Sequence, residues 1–292
     1  MARSKTREWQ LARRTLSLGG RTFIMGVLNI TPDSFSDGGQ FYDPERAFER
    51  AKEMLSEGAD MIDVGGESTR PGGAASITAE EELRRIVPVI EGVLTQLPDA
   101  LISIDTTKAE VARAALAAGA EIINDISALR FDERVADEAA HAGAGLVLMH
   151  SRGTPAMLHK LPPVADILPE VTESLRRSVE LAEQRGVSRR SIAIDPGIGF
   201  GKSQTQNLEL LAKLDELAAE FAEFPLLVGT SRKSFIGRLL GEAPVEERLH
   251  GTMATVAAAI LGGADIVRVH DVRAAVETAR VTDAIRRVTS DE

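Results

Sequence analysis

The sequence predicts an α/β protein with the (β/α)8 architecture of a TIM barrel, and three observations lead there. Eight short apolar runs recur at near-even spacing along the 292 residues. Each run ends on a polar or charged residue. Amphipathic stretches of helix length fill the gaps between them. Strand–helix alternation repeated in this way closes into a barrel of parallel strands. The carboxyl ends of such strands meet at one mouth, so residues that end them read as catalytic.

The elements follow in order. Leu16–Thr22, with Gly19-Gly20 between apolar stretches, reads as a β-hairpin turn feeding the first strand. Residues 1–21 are therefore expected to form an N-terminal extension and a hairpin that plugs the bottom of the barrel. Before the hairpin the sequence carries no further signal. The eight runs are Phe23–Leu28 before Asn29, Met61–Val64 before Gly65-Gly66-Glu67, Leu101–Ile104 before Asp105, and Ile122-Ile123 before Asn124-Asp125. Then come Gly145–Met149 before His150, Ile192–Ile194 before Asp195, Leu226–Val228 before Gly229–Lys233, and Ile266–Val269, which holds Arg268 and precedes His270.

The first helix starts at Asp43-Pro44 and stops at Gly58. Thr78 with Glu81, and Thr107 with Glu110, read as capping boxes for the next two. Later helices are expected near Glu133–His141, Val164–Arg185, Gln206–Phe221, Val245–Leu261 and Val272–Val288. Composition does not break along residues 1–292, so one barrel domain is expected. Three strand-to-helix loops, Thr31–Phe41, Gly65–Ile77 and Ser151–Pro163, exceed the usual ~2–6 residues. The first two suit lids over the site.

Composition narrows the function. A net charge of −10 argues against a nucleic-acid binder, though not against an anionic small substrate. With no cysteine there is no disulfide, thiolate nucleophile or Cys-ligated metal. No apolar run has the length of a membrane span, and the basic start lacks the apolar stretch of a secretory signal. A soluble protein in a reducing cytoplasm is expected.

Arg268 and His270 stand two apart on the last strand, so both face the mouth. A guanidinium beside an imidazole suits a phosphate or diphosphate; the plain alternative is a structural ion pair and a surface histidine. Asp105 and Asp195 end strands, and a buried carboxylate needs donors. The two adjacent N–H groups of a 2-amino-4-oxo-pyrimidine edge would supply them, and Asn124 can both donate to and accept from such a ring. Pairing with barrel cations is the alternative. Lys233 fits a Schiff base, a donor to a ligand carbonyl, a phosphate contact, or simply a solvated basic turn. Asn29 opens a glycosylation sequon, which no signal peptide supports; an oxygen ligand for Mg2+ beside substrate phosphates fits better. Gly197–Ser203 is not a P-loop, because Pro196 stands where its first glycine belongs. His141, His159 and His250 are expected at the surface.

These residues together resemble the dihydropteroate synthases of folate synthesis. The likeness runs from about Thr22 onward and is carried by Met25–Gly39, Asp63–Gly72, Ser103–Thr106, Ile123–Asp125, Asp195–Lys202, Gly229–Ser234 and Arg268–His270. The resemblance implies condensation of (7,8-dihydropterin-6-yl)methyl diphosphate with 4-aminobenzoate, diphosphate leaving. It implies that Asp105, Asn124, Asp195 and Lys233 hold the pterin. Thr69, Arg268, His270 and Asn29 would hold the diphosphate, Asn29 on Mg2+. Arg70, Pro71, Phe200, Ser231 and Ser234 would border the aminobenzoate. Asp105, Lys233, Arg268 and His270 are the expected catalytic set, in a homodimer that sulfonamides inhibit. Other readings are a pterin-binding methyltransferase domain, an aldolase using Lys233, or a non-catalytic paralogue.

Overall fold

A computed structural model describes residues 6–31, 44–67, 77–154 and 161–290. Eight parallel strands form one sheet: β3 (Phe23–Asn29), β4 (Met61–Gly65), β5 (Ile102–Asp105), β6 (Ile122–Asp125), β7 (Gly145–Met149), β8 (Ile192–Asp195), β9 (Leu227–Val228) and β10 (Ile266–Val269). Their spatial order is β8-β7-β6-β5-β4-β3-β10-β9, and a parallel bridge between Ile194 and Leu226 joins its two edges into a barrel. Every apolar run read from the sequence lies on one of these strands. The strands are buried on both faces, which explains their nearly unbroken apolar character.

Side chains alternate between two cores. Those facing outward, such as Ile62, Val64, Ile104 and Ile123, pack under the helices. Those facing inward near the amino ends, such as Met25, Met61, Ile122 and Val147, form a second cluster with Trp9, Leu11 and Leu18. The last three belong to a hairpin of β1 (Arg7–Gln10) and β2 (Thr15–Leu18), paired antiparallel with Arg7 opposite Leu18. The hairpin does plug the barrel base, but its turn is not Gly19-Gly20. The chain reverses at Leu11–Arg14, where Leu11 N–H donates to Arg14 O at 2.8 Å. Gly19-Gly20 instead joins β2 to β3. The reversal carries Arg13 and Arg14 onto Glu121, whose side chain is wholly buried. Arg7 meets the equally buried Asp265 at 2.8 Å.

Trp9, the chain's single tryptophan, is fully buried, and its Nε1 donates to Ser191 O at 2.9 Å. Trp9→Phe removes that donor and leaves the carbonyl unpaired. It should destabilise the fold by ~1–3 kcal/mol, measured by denaturant unfolding; an unchanged midpoint would show that the plug contributes nothing there.

The helices are α1 (Pro44–Glu57), α2 (Ala79–Gln96), α3 (Ala109–Ala117), α4 (Arg134–Ala142), α5 (Ile167–Gln184), α6 (Gln204–Ala212), α7 (Leu214–Glu220), α8 (Ser234–Leu239), α9 (Leu249–Leu261) and α10 (Val272–Ser290). Thr78 caps α2 by accepting from Glu81 N–H. The box expected at Thr107 and Glu110 does not form. Lys108 holds the cap position without a side-chain bond, and Asp132, distant in sequence, accepts from Ala109 N–H at 3.1 Å. The stretch expected as one helix over Gln206–Phe221 breaks at Lys213 into α6 and α7. The short α8 follows β9 as an addition to the expected set. Among the described residues no helix is long and apolar enough to cross a membrane.

Candidate active site

The carboxyl ends of β4, β5, β6, β8 and β10 bring Asp63, Asp105, Asn124, Asp195 and Arg268 to the barrel mouth. Arg268 lies across the mouth as a fork. Its Nε donates to Asp63 Oδ2 at 2.6 Å and its Nη2 to Asp105 Oδ2 at 2.7 Å. Asn124 Nδ2 donates to the same Asp63 oxygen at 3.0 Å. The ion pair anticipated as the plain alternative for Arg268 therefore exists, and it sits inside the mouth.

Asp63 was hidden in the sequence. It falls within the apolar run Met61–Val64 and reads there as part of the strand. The signal was available: a charged residue two positions before Gly65, on a strand otherwise apolar, must face the barrel interior. Gly65 above it has no side chain, so Asp63 is the last side chain that β4 turns inward.

Burial pushes the Asp105 carboxyl up to about 7, against the pull of Arg268, with Asp63 adding to the rise. Burial likewise raises Asp195, opposed by Lys233. Asp195 Oδ1 accepts from Gly197 N–H at 2.6 Å. Burial lowers the Lys233 ammonium to about 8, against Asp195, which favours its charge. Asp63, Asp105 and Asp195 thus share this mouth with Arg268 and Lys233.

Lys233 turns inward because its neighbour does not. Arg232 adopts φ 58 and pairs outward with Asp271, Nε to Oδ2 at 2.9 Å. Such a backbone conformation is costly for a residue with a Cβ and gathers at functional sites. Lys233 Nζ then donates to Ile198 O and lies 4.5 Å from the centre of the Phe200 ring. Its stem passes so close to Gly199 that a Cβ there would stand 2.8 Å from Lys233 Cδ, and the φ of +87 also favours glycine. Gly197 is tighter still, since its Cβ would meet His150 O at 1.8 Å.

Lys202, set aside with the rejected P-loop, has a structural task. Its buried Nζ donates to Gly197 O at 2.8 Å, Phe200 O at 3.2 Å and His150 O at 3.3 Å. Burial pushes its pKa well down. It ties the loop carrying Phe200 to the end of β7. His150 beside it is 2% exposed, and burial holds its pKa down to about 2, so it stays neutral.

His270 meets Ser231: its N–H donates to Ser231 Oγ at 3.1 Å, and Nδ1 lies 2.9 Å from that oxygen. Ser231, expected at the aminobenzoate carboxylate, is thus engaged with the imidazole. Ser234 opens α8 and is half-buried, as is Phe200. Asn29 ends β3; a Cβ on Gly65 would stand 3.7 Å from its Oδ1 and 3.8 Å from Asp105 Oδ2. Thr69, Arg70 and Pro71 lie outside the described residues, as do most of the two expected lids. The base of the second is described. Arg85 donates to Gly66 O at 2.9 Å, and Lys108 bridges Glu67 and Glu82. His141 and His250 are exposed, as expected, and His159 lies outside the described residues.

Comparison with known proteins agrees with this geometry. Residues 25–270 match the family model described as pterin binding enzyme. A curated relative from Synechocystis, named dihydropteroate synthase, is 49% identical over 92% of this chain and 92% of its own. A Clostridium difficile dihydropteroate synthase solved with pteroic acid superposes with a TM-score of 0.85 at 46% identity, covering 92% of this chain and 98% of its own. A Xanthomonas albilineans dihydropteroate synthase solved with 4-aminobenzoic acid gives 0.88 at 43% identity, covering 97% and 99%.

Proposed function

This chain belongs to the pterin binding enzyme family, and we propose that it joins (7,8-dihydropterin-6-yl)methyl diphosphate to 4-aminobenzoate, giving 7,8-dihydropteroate and diphosphate. The observation that carries this reading is the mouth itself: Asp105, Asn124, Asp195 and Lys233 gathered beside a forked Arg268. Relatives named for this activity, including structures with pteroic acid and 4-aminobenzoic acid, support it.

Each residue has a task in this mechanism. Asp195 and Asn124 read the pyrimidine edge of the pterin, and Lys233 donates to its carbonyl side. Arg268 and His270 stabilise the departing diphosphate. As that bond breaks, positive charge spreads from the exocyclic CH2 into the electron-rich dihydropterin. Asp105 at the barrel mouth, when ionised, favours that charge electrostatically. The aminobenzoate nitrogen then attacks the CH2 and releases its proton. The ring of Phe200 walls the aminobenzoate pocket, with Ser231 and Ser234 at its polar end. Arg70, Pro71 and Thr69 complete the two anion pockets in this reading. No protein nucleophile takes part.

Asn29 Oδ1 and Asp105 Oδ2 both lie close to Gly65, 3.7 and 3.8 Å from where a Cβ would stand. Among the described residues no group of three or more His, Cys, Asp or Glu is placed to hold a metal. This thin set of hard oxygen donors fits Mg2+ arriving with the diphosphate, because Mg2+ keeps most of its ligands from phosphate and water. Asn29 would hold it from the protein side. When bound, it would neutralise charge on the leaving group.

A coupled assay of diphosphate release, run with and without 4-aminobenzoate, tests the activity. No release in the presence of both substrates and Mg2+ would overturn it. Binding of 4-aminobenzoate, or of a sulfonamide mimic, should be weak to the free enzyme and strong once pterin and diphosphate are bound. Tight binding to the free enzyme would contradict that order.

The two titrating groups set the pH response. Asp105 takes up a proton as pH falls through about 7, and Lys233 loses one as pH rises through about 8. The pH profile of kcat/KM, which reports groups of the free enzyme, should therefore be a narrow bell between those limbs. A flat profile from pH 6 to 9 would exclude both groups from the rate.

We also read the protein as a cytoplasmic homodimer. On α10, Val281, Ile285 and Val288 stand exposed along one stripe, and Leu261 of α9 is exposed as well. Spacings of four and three place the α10 residues on one helix face. Ile285→Lys should convert the dimer to monomer in light scattering; an unchanged dimer mass would move the interface elsewhere.

A further inference from the structure

We propose that Asp63 is a positioning residue for both halves of the substrate: one oxygen of its carboxylate aims the Arg268 guanidinium and the Asn124 amide together. The inference rests on the pterin diphosphate reading above and assigns a task to a side chain that this reading leaves idle.

Arg268 has four side-chain torsions, and its charge alone does not fix where its donors point. Asp63 Oδ2 holds Nε at 2.6 Å. Since Nε is part of the rigid planar fork, that bond sets the plane of the guanidinium. Asn124 is oriented by the same atom. A carboxylate only accepts, so the amide must turn its Nδ2 toward Asp63, as it does at 3.0 Å. Asn124 Oδ1 is thereby turned away, buried and without a partner. An N–H donor on a bound ring would satisfy it. Without Asp63 the amide could flip and present a donor instead.

A side chain serving only to hold the core together would be expected to have its hydrogen-bonding atoms satisfied. Asp63 Oδ1 is buried without a partner, and so is Ser103 Oγ on the neighbouring strand, which lies in register with Asp63. Asp63 Oδ2 is taken up by Arg268 and Asn124, and the side chain is fully buried. It acts through them.

The test uses inorganic diphosphate and a bare dihydropterin as separate calorimetric probes on the full chain. Asp63→Asn keeps the side-chain volume and removes the charge. Each probe should weaken roughly tenfold or more, in line with the ~10–100-fold effects seen when outer partners of ligating side chains are changed. Arg268→Gln should weaken diphosphate alone, and adding Asp63→Asn to it should cost no further diphosphate affinity while still weakening the ring. Additive losses of diphosphate affinity, or unchanged binding of either probe in a folded Asp63→Asn protein, would overturn the proposal.

If that variant does not fold, isotope-labelled arginine in the unmodified protein gives the answer. The Arg268 Nε–H should stay protected from exchange with water when diphosphate and pterin are added. Loss of protection would mean that the Asp63 bond breaks on binding, and the proposal would fall. Turnover by the unmodified enzyme is measured first. Absence of product refutes the proposed reaction, whereas normal turnover with intact probe binding in the variant refutes only the role of Asp63.

Discussion

Arg268→Ala lowers kcat/KM for the pterin diphosphate by ~2–5 kcal/mol of transition-state stabilisation, the largest loss expected at this mouth. Two effects add. The diphosphate loses a charge-assisted donor both in binding and in departure. In addition, Asp63 and Asp105 lose the cation that bridges them, and the buried Asp105 without it takes up a proton more readily. Asp105, already raised to about 7 by burial, moves higher, so the acid limb of the pH profile shifts toward alkaline pH. Arg268→Lys separates these effects. Lysine keeps the charge but cannot reach two carboxylates as a rigid fork, so it should restore only part of the rate. Steady-state kinetics of both variants check this. A normal kcat/KM in Arg268→Ala would remove Arg268 from the leaving-group site.

Asp195→Ala should abolish measurable binding of a bare pterin, a loss of ~3 kcal/mol or more, because a buried charged acceptor is removed from two N–H donors. Asp195 also accepts from Gly197 N–H at 2.6 Å, so the alanine variant loosens the loop that carries Phe200. Asp195→Asn is the sharper probe. It can keep the bond to Gly197, but its NH2 group would then face the donors of the ring. Calorimetry with the bare pterin should show failure in both variants. Unchanged affinity in Asp195→Asn would place the pyrimidine edge elsewhere.

The convergence of the site was legible because barrel topology turns strand ends into neighbours. Asp105, Asn124, Asp195, Lys233 and Arg268 lie far apart in sequence, yet the first four follow an apolar run and Arg268 lies near the end of one. Partnership was not legible. Nothing local says that Arg268 crosses the mouth to β4, or that Ser231 meets His270. Asp63 was missed because a carboxylate inside a strand looks like part of it until the inward face is counted. The helix cap assigned to Thr107 failed for a similar reason: Asp132, from a later loop, accepts from Ala109 N–H in the first turn instead. At the base, Gly19-Gly20 has the local chemistry of a hairpin turn. The burial of Trp9, Leu11 and Leu18, and the pull of Glu121 on Arg13 and Arg14, set the reversal earlier. Tertiary contacts decided between two possible turns.

That hairpin has a consequence for synthesis. It leaves the ribosome ahead of every strand it will touch. Trp9 waits for the Ser191 carbonyl, 182 residues downstream, and Arg7 for Asp265, 258 residues downstream. During most of translation its apolar face has no barrel to enter. Contacts this distant slow folding, and unburied apolar surface invites aggregation meanwhile. Trp9, Leu11 and Leu18 therefore emerge before the barrel strands that cover them, and a ribosome-bound holdase would meet them before those strands had been made.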